Sequence, residues 1–292
     1  FANNDIYNAK VLSNTDSIDN NSDGVWTGDI LSNANRISNN VGASWSGNVQ
    51  ANSGTLYNHG EWSGDVVKNS GSINNFGGIW TGDIRTNSGQ IANNEGGIWN
   101  GNVLANNNAI FNMADSDWNG DVVANGGGSN KRAQIINRGA WTGDVQGNAG
   151  SIYNEDAGIW NGDVLANTGG IGTYSIWNGD FTSAGRVSAE GEINGAFDNS
   201  GVLRAVGSLS GITTLTNTGT VSLQGNGTTQ ILSVADADFR DGSFFDIDVD
   251  ATGGNDKLIA GTATLDGTVR VAAGSTISAS TPTEIYTILS AN

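Results

Sequence analysis

GIWNGDVLAN, residues 158–167, is one copy of a phrase that recurs along a chain of 292 residues. All nine tryptophans, Trp26, Trp45, Trp62, Trp80, Trp99, Trp118, Trp141, Trp160 and Trp177, open the pattern Trp-(Thr/Ser/Asn)-Gly-(Asp/Asn)-(Val/Ile/Phe). The intervals between them are 19, 17, 18, 19, 19, 23, 19 and 17 residues. A fixed period of this length marks a solenoid in which one short unit stacks on the next. In WTGDI, Trp26, Gly28 and Ile30 share one face of a strand, and Thr27 and Asp29 share the other. Trp and the branched residue therefore fill the coil interior, and the intervening Gly leaves room beside the indole.

The period divides into a rigid arc and a variable one. Eleven residues after Trp comes Ile37, Leu56, Ile73, Ile91, Ile110, Ile152 or Ile171, and the exception is Ile135, which follows Trp118 by 17 because NGGGSNKRA adds six residues. The return from that apolar residue to the next Trp varies between six and eight, so the Gly-, Asn- and Asp-rich return absorbs insertions as loops do. Seven after Trp stand Asn33, Asn52, Asn69, Asn87, Asn106, Asn125, Asn148 and Asn167, and a second column, two after the apolar residue, runs from Asn20 through Asn39, Asn58, Asn75, Asn93, Asn112 and Asn137 to Asn154. In coils stacked about 4.8 Å apart, such columns become ladders whose amides hydrogen-bond along the axis. The nine Trp and the Asn columns are thus assigned structural roles. Nine after Trp comes Asn35, Gly54, Gly71, Gly89, Asn108, Gly127, Gly150 or Gly169; Gly and Asn reach positive φ readily, so this position is expected to be a left-handed corner.

Composition narrows the function classes. With 44 Gly, one Pro and many Asn, Asp and Thr, helix is disfavoured. Twelve Lys and Arg against 29 Asp and Glu give a net charge of −17, which argues against nucleic acid, whose affinity comes mostly from clustered cations, and against anionic membrane surfaces. No stretch approaches the ~20 consecutive apolar residues of a membrane helix, so no direct membrane insertion is expected. The chain has no Cys, which is compatible with export. It begins at Phe1 without a signal-type apolar run, and so reads as a mature or excised fragment.

Three regions follow: the Trp repeat over 1–180, coils continuing without Trp over 181–235, and a segment of different character over 236–292. In the second, NSGVLRAVG from Asn199 and NTGTVSLQG from Asn217 are 18 residues apart, with strand-like alternation. The third contains FDIDVD, GGNDKL, GTATLDGTVRV and a final YTIL. These runs resemble the C-terminal, autochaperone-like end of passenger domains from Gram-negative autotransporters, the segment preceding the outer-membrane translocator barrel, and the Trp-x-Gly-Asp-Val coils are similar to repetitive passengers of that family. The resemblance implies an all-β, right-handed parallel β-helix with coils of about 17–19 residues and a β-rich C-terminal cap. It also implies type V secretion, with a translocator barrel as partner in the full-length product and a location outside the cell or on the bacterial surface.

Candidate sites are few. The column three after Trp, from Asp29 through Asn48, Asp65, Asp83, Asn102, Asp121, Asp144 and Asp163 to Asp180, offers hard oxygen ligands for Ca²⁺; Asp121, Asp144, Asp163 and Asp180 are its weak metal candidates. The plainer reading, that each Asp caps a turn or is solvated, is preferred, and stacked carboxylates would repel by only about 0.8 kcal/mol per pair in water. The Gly-Gly-x-Gly-x-Asp calcium repeat is approached only by GGND at 253–256. Asp246, Asp248 and Asp250 alternate on one strand face near Asp256, with Arg240 and Lys257 as the nearby cations; paired carboxylates serve acid/base chemistry, but a solvated face is expected. His59, the sole histidine, is expected in an exposed loop, without a Gly-x-Ser-x-Gly elbow to make it catalytic. Lys131 and Arg132, in the insertion that breaks the period, are the binding candidates, since solenoid loops often carry function. The expectation is a cofactor-free, non-enzymatic adhesin or virulence-associated ligand that binds a host-cell surface protein or glycan. Alternatives are a released effector acting on a host receptor, a polysaccharide-active β-helix enzyme, and a self-associating aggregation factor.

Overall fold

The computed structural model describes residues 1–126, 132–155, 157–225, 229–249, 254–273 and 288–291. Gly127, Lys131, Asp250, Gly253 and most of the terminal run, including Tyr286 and Thr287, lie outside them. The described chain is all-β, without helix, and its strands pair in parallel from coil to coil as a β-solenoid of about 12 turns. It divides into two compact units, residues 1–162 and 163–292.

In the first unit the Trp column is a continuous stack. Trp26 pairs in register with Trp45, Trp45 with Trp62, and so on to Trp141 with Trp160. Successive ring centroids lie 4.5, 4.7, 4.8, 4.9, 4.7, 4.8 and 4.5 Å apart, and the planes tilt by 15° at most. Each indole N–H from Trp26 to Trp141 donates to the carbonyl of the Gly two residues on, at 2.7–2.8 Å, so a fully buried ring leaves no polar atom stranded. That Gly is required for a more specific reason than room beside the indole. A Cβ at Gly47, Gly64, Gly82 or Gly101 would sit 2.0 Å from the carbonyl oxygen of the equivalent Gly in the preceding coil, so the strict Gly column is what lets neighbouring backbones approach.

The apolar column Ile18, Ile37, Leu56, Ile73, Ile91, Ile110, Ile135 and Ile152 is likewise buried and in register from coil to coil. Two ladders of buried Asn complete the interior. One runs from Asn3 to Asn154 through eight amide–amide bonds of 2.7–3.0 Å. The other runs from Asn14 to Asn148 through seven bonds of 2.6–2.8 Å. Their second amide hydrogens go to backbone carbonyls, as from Asn75 to Gly78 O at 2.8 Å, so these buried polar groups are paired.

The expected left-handed corner is not where the sequence pattern put it. None of Asn35, Gly54, Gly71, Gly89, Asn108, Gly150 and Gly169 has positive φ. A Cβ at Gly71 would lie 1.9 Å from the oxygen of Gly54, and one at Gly89 1.7 Å from that of Gly71; stacking distance, not φ, selects Gly there. Where the column has Asn instead, its amide reaches down to a carbonyl of the preceding coil, Asn35 to Thr15 and Asn108 to Ser88. In the first unit the left-handed residues lie in the variable return, where Asp23, Gly42, Gly77, Glu95, Gly96 and Asp115 have φ between 55° and 78°, except Gly126, at 88°, where the insertion begins.

The second unit keeps parallel coils but lengthens its strands, with Arg186–Asn194, Val202–Asn217, Ile231–Phe239 and Lys257–Leu265. Gly191 and Gly211, at φ +94° and +89°, bend two of these strands without ending them, and β-branched residues favour extended backbone. Phe181 stacks on Phe197 at 5.1 Å, Asn199 bonds Asn217 at 2.7 Å, and the core passes to Leu203, Leu209, Leu215, Phe239, Phe245 and Leu258.

Candidate functional site

With Trp, Ile and Asn turned inward, the side chains open to solvent are those of the outward columns. The Asp column is the most regular of these, and Asp29, Asn48, Asp65, Asp83, Asn102, Asp121, Asp163 and Asp180 each serve the next coil. The side-chain Oδ1 of Asp29 accepts the backbone N–H of Asn48, Asp65 that of Asp83, Asp121 that of Asp144, Asp163 that of Asp180, and Asp180 that of Ala196, all at 2.7–2.9 Å. Asn48 and Asn102 do the same for Asp65 and Asp121, supplying the acceptor without the charge. Asp121, Asp163 and Asp180 thus each commit an oxygen to the stack. Among the described residues no group of three or more His, Cys, Asp or Glu is placed to hold a metal.

A groove lies beside the second Asn ladder. Val49–Asn52, Val66–Asn69 and Ile84–Asn87 form a parallel three-stranded sheet in the register Val49, Val66, Ile84. In neighbouring coils the same arc is joined only by single bridges, such as Ile30 to Val49 and Ile84 to Val103. Each strand ends on its inward Asn, and the residues flanking that Asn point outward: Ala51 and Ser53, Lys68 and Ser70, Thr86 and Ser88. With Ser32 and Asn107 they line a groove of about 300 Å³, at the lower end of the usual ligand-site range. The hydroxyls of Ser53, Ser70 and Ser88 donate to the carbonyls of Asn33, Asn52 and Asn69 at 3.2 Å, and Thr86 donates to Val67 O at 3.1 Å. Their lone pairs remain for a ligand. No lining residue is acidic, and Lys68 belongs to none of the four ion pairs among the described residues.

Of the binding candidates, Lys131 lies outside the described residues, and Arg132 is exposed just before the strand Gln134–Asn137. The insertion leaves the stack undisturbed on both sides. Asn125 still bonds Asn148, and Ile135 still pairs with Ile110 and Ile152. His59 is half-buried, not freely exposed, because its ring stacks on Phe76 of the next coil at 5.5 Å. It lines a separate hollow of about 280 Å³ with Glu61.

The acidic strand Phe244–Val249 is not a solvated face. Asp246 is buried and bound bidentately by Arg270 at 2.5 and 2.6 Å, and that guanidinium also lies 4.0 Å over the Phe244 ring. Asp248 accepts the N–H of Gly225 at 2.9 Å, and Asp250 lies outside the described residues. Asp256 is buried and accepts the N–H groups of Gln230 and Asp248 at 2.9 and 2.6 Å. Burial raises its carboxyl pKa above the ordinary value, opposed by those two N–H donors and reinforced by the Asp248 charge. Arg240 pairs instead with Asp238 at 3.0 Å. The cluster is a set of coil-to-coil ties. The groove and Arg270 were both missed from sequence: Lys68 looks like one more exposed strand residue until Ser53, Ser70 and Ser88 are stacked beside it, and Arg270 lies 24 residues from its partner. No protein-family model matches the chain, and no curated protein matches it.

Proposed function

We propose that the chain is the passenger of a Gram-negative autotransporter, exported through an outer-membrane barrel, secreted or held at the bacterial surface. There it acts as an adhesin or virulence-associated ligand for a host-cell surface protein or glycan. The observation that carries this is the allocation of polar groups. Asn ladders inside and the Asp column at the edge are occupied in holding coil to coil, whereas Ser, Thr and Lys side chains are presented outward in register. A repeat of this kind suits extended recognition, because each coil offers the same column at a fixed rise. The acidic strand, the best acid/base candidate in the sequence, is engaged in ion-pair and backbone ties, which favours binding over hydrolysis.

The test is binding of the purified chain to intact host cells, followed by cross-linking to identify the receptor. Saturable binding that survives washing supports the proposal, and absence of binding across several host cell types defeats it. The binding role of the insertion that carries Lys131 is tested on the same cells by deleting residues 126–131, which leaves Arg132 in place. The deletion returns the 23-residue interval after Trp118 to 17, a length already present between Trp45 and Trp62. Melting is expected to be unchanged, and unchanged cell binding would remove the insertion from the site.

A second reading, self-association, is favoured by one feature of the first unit. Ala92, Phe111, Ile136 and Tyr153 follow one another in register, and Tyr153 is 37% exposed. Sedimentation velocity over a wide concentration range separates it: a constant sedimentation coefficient excludes it.

A further inference from the structure

The groove beside Asn52, Asn69 and Asn87 differs in chemistry from the acidic columns of the same coils. On a chain of net charge −17, its lining has one amine, Lys68, and no carboxylate. Ser53, Ser70, Ser88 and Thr86 have spent their hydroxyl protons on backbone carbonyls, so toward solvent they act as acceptors. The Asn107 amide lies at one end. A ligand that satisfies this set must bring many hydroxyl donors and an anionic group. Its hydroxyls must recur along the stack at the coil spacing, about 4.8 Å, which is comparable to the length of a sugar ring. Hydroxylated ligands without charge would leave Lys68 unused, and anions without hydroxyls would leave the row of oxygens unpaired.

We propose that this groove binds an acidic oligosaccharide laid along the stacking direction, with Lys68 on a carboxylate or sulfate and the Ser and Thr oxygens accepting from sugar hydroxyls. This rests on the proposal that the exterior of the chain is its binding surface, and it names a ligand class and a place for it. The surrounding negative field weakens long-range attraction for such a ligand, so contact is short-ranged and salt-sensitive.

The experiment is a saturation-transfer NMR titration of the full chain, in low salt without calcium, with a galacturonate oligomer and with a maltose oligomer of equal length. It is repeated on Lys68→Met and on Arg85→Met. Arg85 is exposed on the same sheet but does not line the groove, and near-UV circular dichroism checks that both variants retain the Trp stack. The galacturonate chain is expected to bind more tightly than the neutral one. Lys68→Met should lower that affinity about tenfold, the size of one charge-assisted hydrogen bond, while Arg85→Met leaves it within twofold. No galacturonate binding, equal affinity for the two chains, or equal losses in both variants would overturn the assignment. If galacturonate fails while intact host cells are still bound, the groove is wrong and the wider role stands; if neither is bound, both fall.

Discussion

Gly64 illustrates how little tolerance the stack has at single positions. An added methyl there would lie 2.0 Å from the Gly47 oxygen, so Gly64→Ala must push two coils apart and is expected to cost about 3 kcal/mol or more. Gly242 has φ +80°, and a methyl added there would meet nothing within 4 Å, so Gly242→Ala should cost only about 1–2 kcal/mol of backbone strain. Urea denaturation of the two variants checks the order, and equal midpoints would refute the stacking explanation. Asn75 is the polar counterpart. Its amide donates to Asn93 Oδ1, Gly78 O and Ile98 O while its oxygen accepts from Asn58. Asn75→Ala leaves buried partners unmatched and should cost about 2–4 kcal/mol; Asn75→Asp, which turns acceptors against acceptors, should cost more. Asp256 gives a pH signature. Its folded pKa is raised above 3.8, chiefly by burial, so between 3.8 and the raised value the native state keeps a proton that the unfolded chain has released. This contribution to stability is full below 3.8 and is lost as pH rises through the folded value. Denaturation midpoints over acid pH should show that fall in the parent and not in Asp256→Asn.

The Trp column is an element that no single strand forms. Its strands are only two residues long, as in Ser44–Trp45 and Glu61–Trp62, yet in register they align indoles with near-parallel planes. Stacked indoles at such distances couple electronically, so the chain should show a paired positive and negative circular-dichroism band near the indole transitions. Replacing Trp99, at the middle of the run, with Leu should reduce that signal by more than one ninth; a strictly proportional loss would mean that the rings do not couple. The ladder positions were legible in the sequence because period and alternation act on every copy alike: Trp, Ile and both Asn columns can be counted off along the chain. What was not legible depends on axial distance or on remote pairing. The Gly of Gly54, Gly71 and Gly89 looked like a φ requirement because composition does not distinguish a backbone bend from a close approach. Asp246 looked solvated because Arg270 lies one coil away, and His59 looked exposed because Phe76 covers it from the next coil. The groove at Lys68 exists only where three coils lie side by side.

Within each unit, a coil touches chiefly the ones before and after it, so stability approaches a sum of neighbour terms. Excising residues 81–99, one 19-residue period, joins Trp80 to Asn100 and restores the phrase Trp-Asn-Gly-Asn-Val. The shortened chain should fold with its Trp signal retained and a midpoint close to the parent's. Loss of the fold, measured by circular dichroism, would show that long-range packing matters more than neighbour contacts.

The two Asn ladders also have a sense. Because each Nδ2 donates both forward to the next Asn and to a backbone carbonyl, as Asn39 does to Asn58 and to Ala43, the amides cannot be flipped, and all point the same way. Joined by fifteen amide–amide bonds, eight in one row and seven in the other, the aligned side-chain dipoles add as peptide dipoles add in a helix, whereas neighbouring strand dipoles largely cancel. The coil of Asn3 and Asn14 therefore carries a partial negative pole, and the far end of the rows a positive one, an electrical polarity opposite in direction to that of an α-helix.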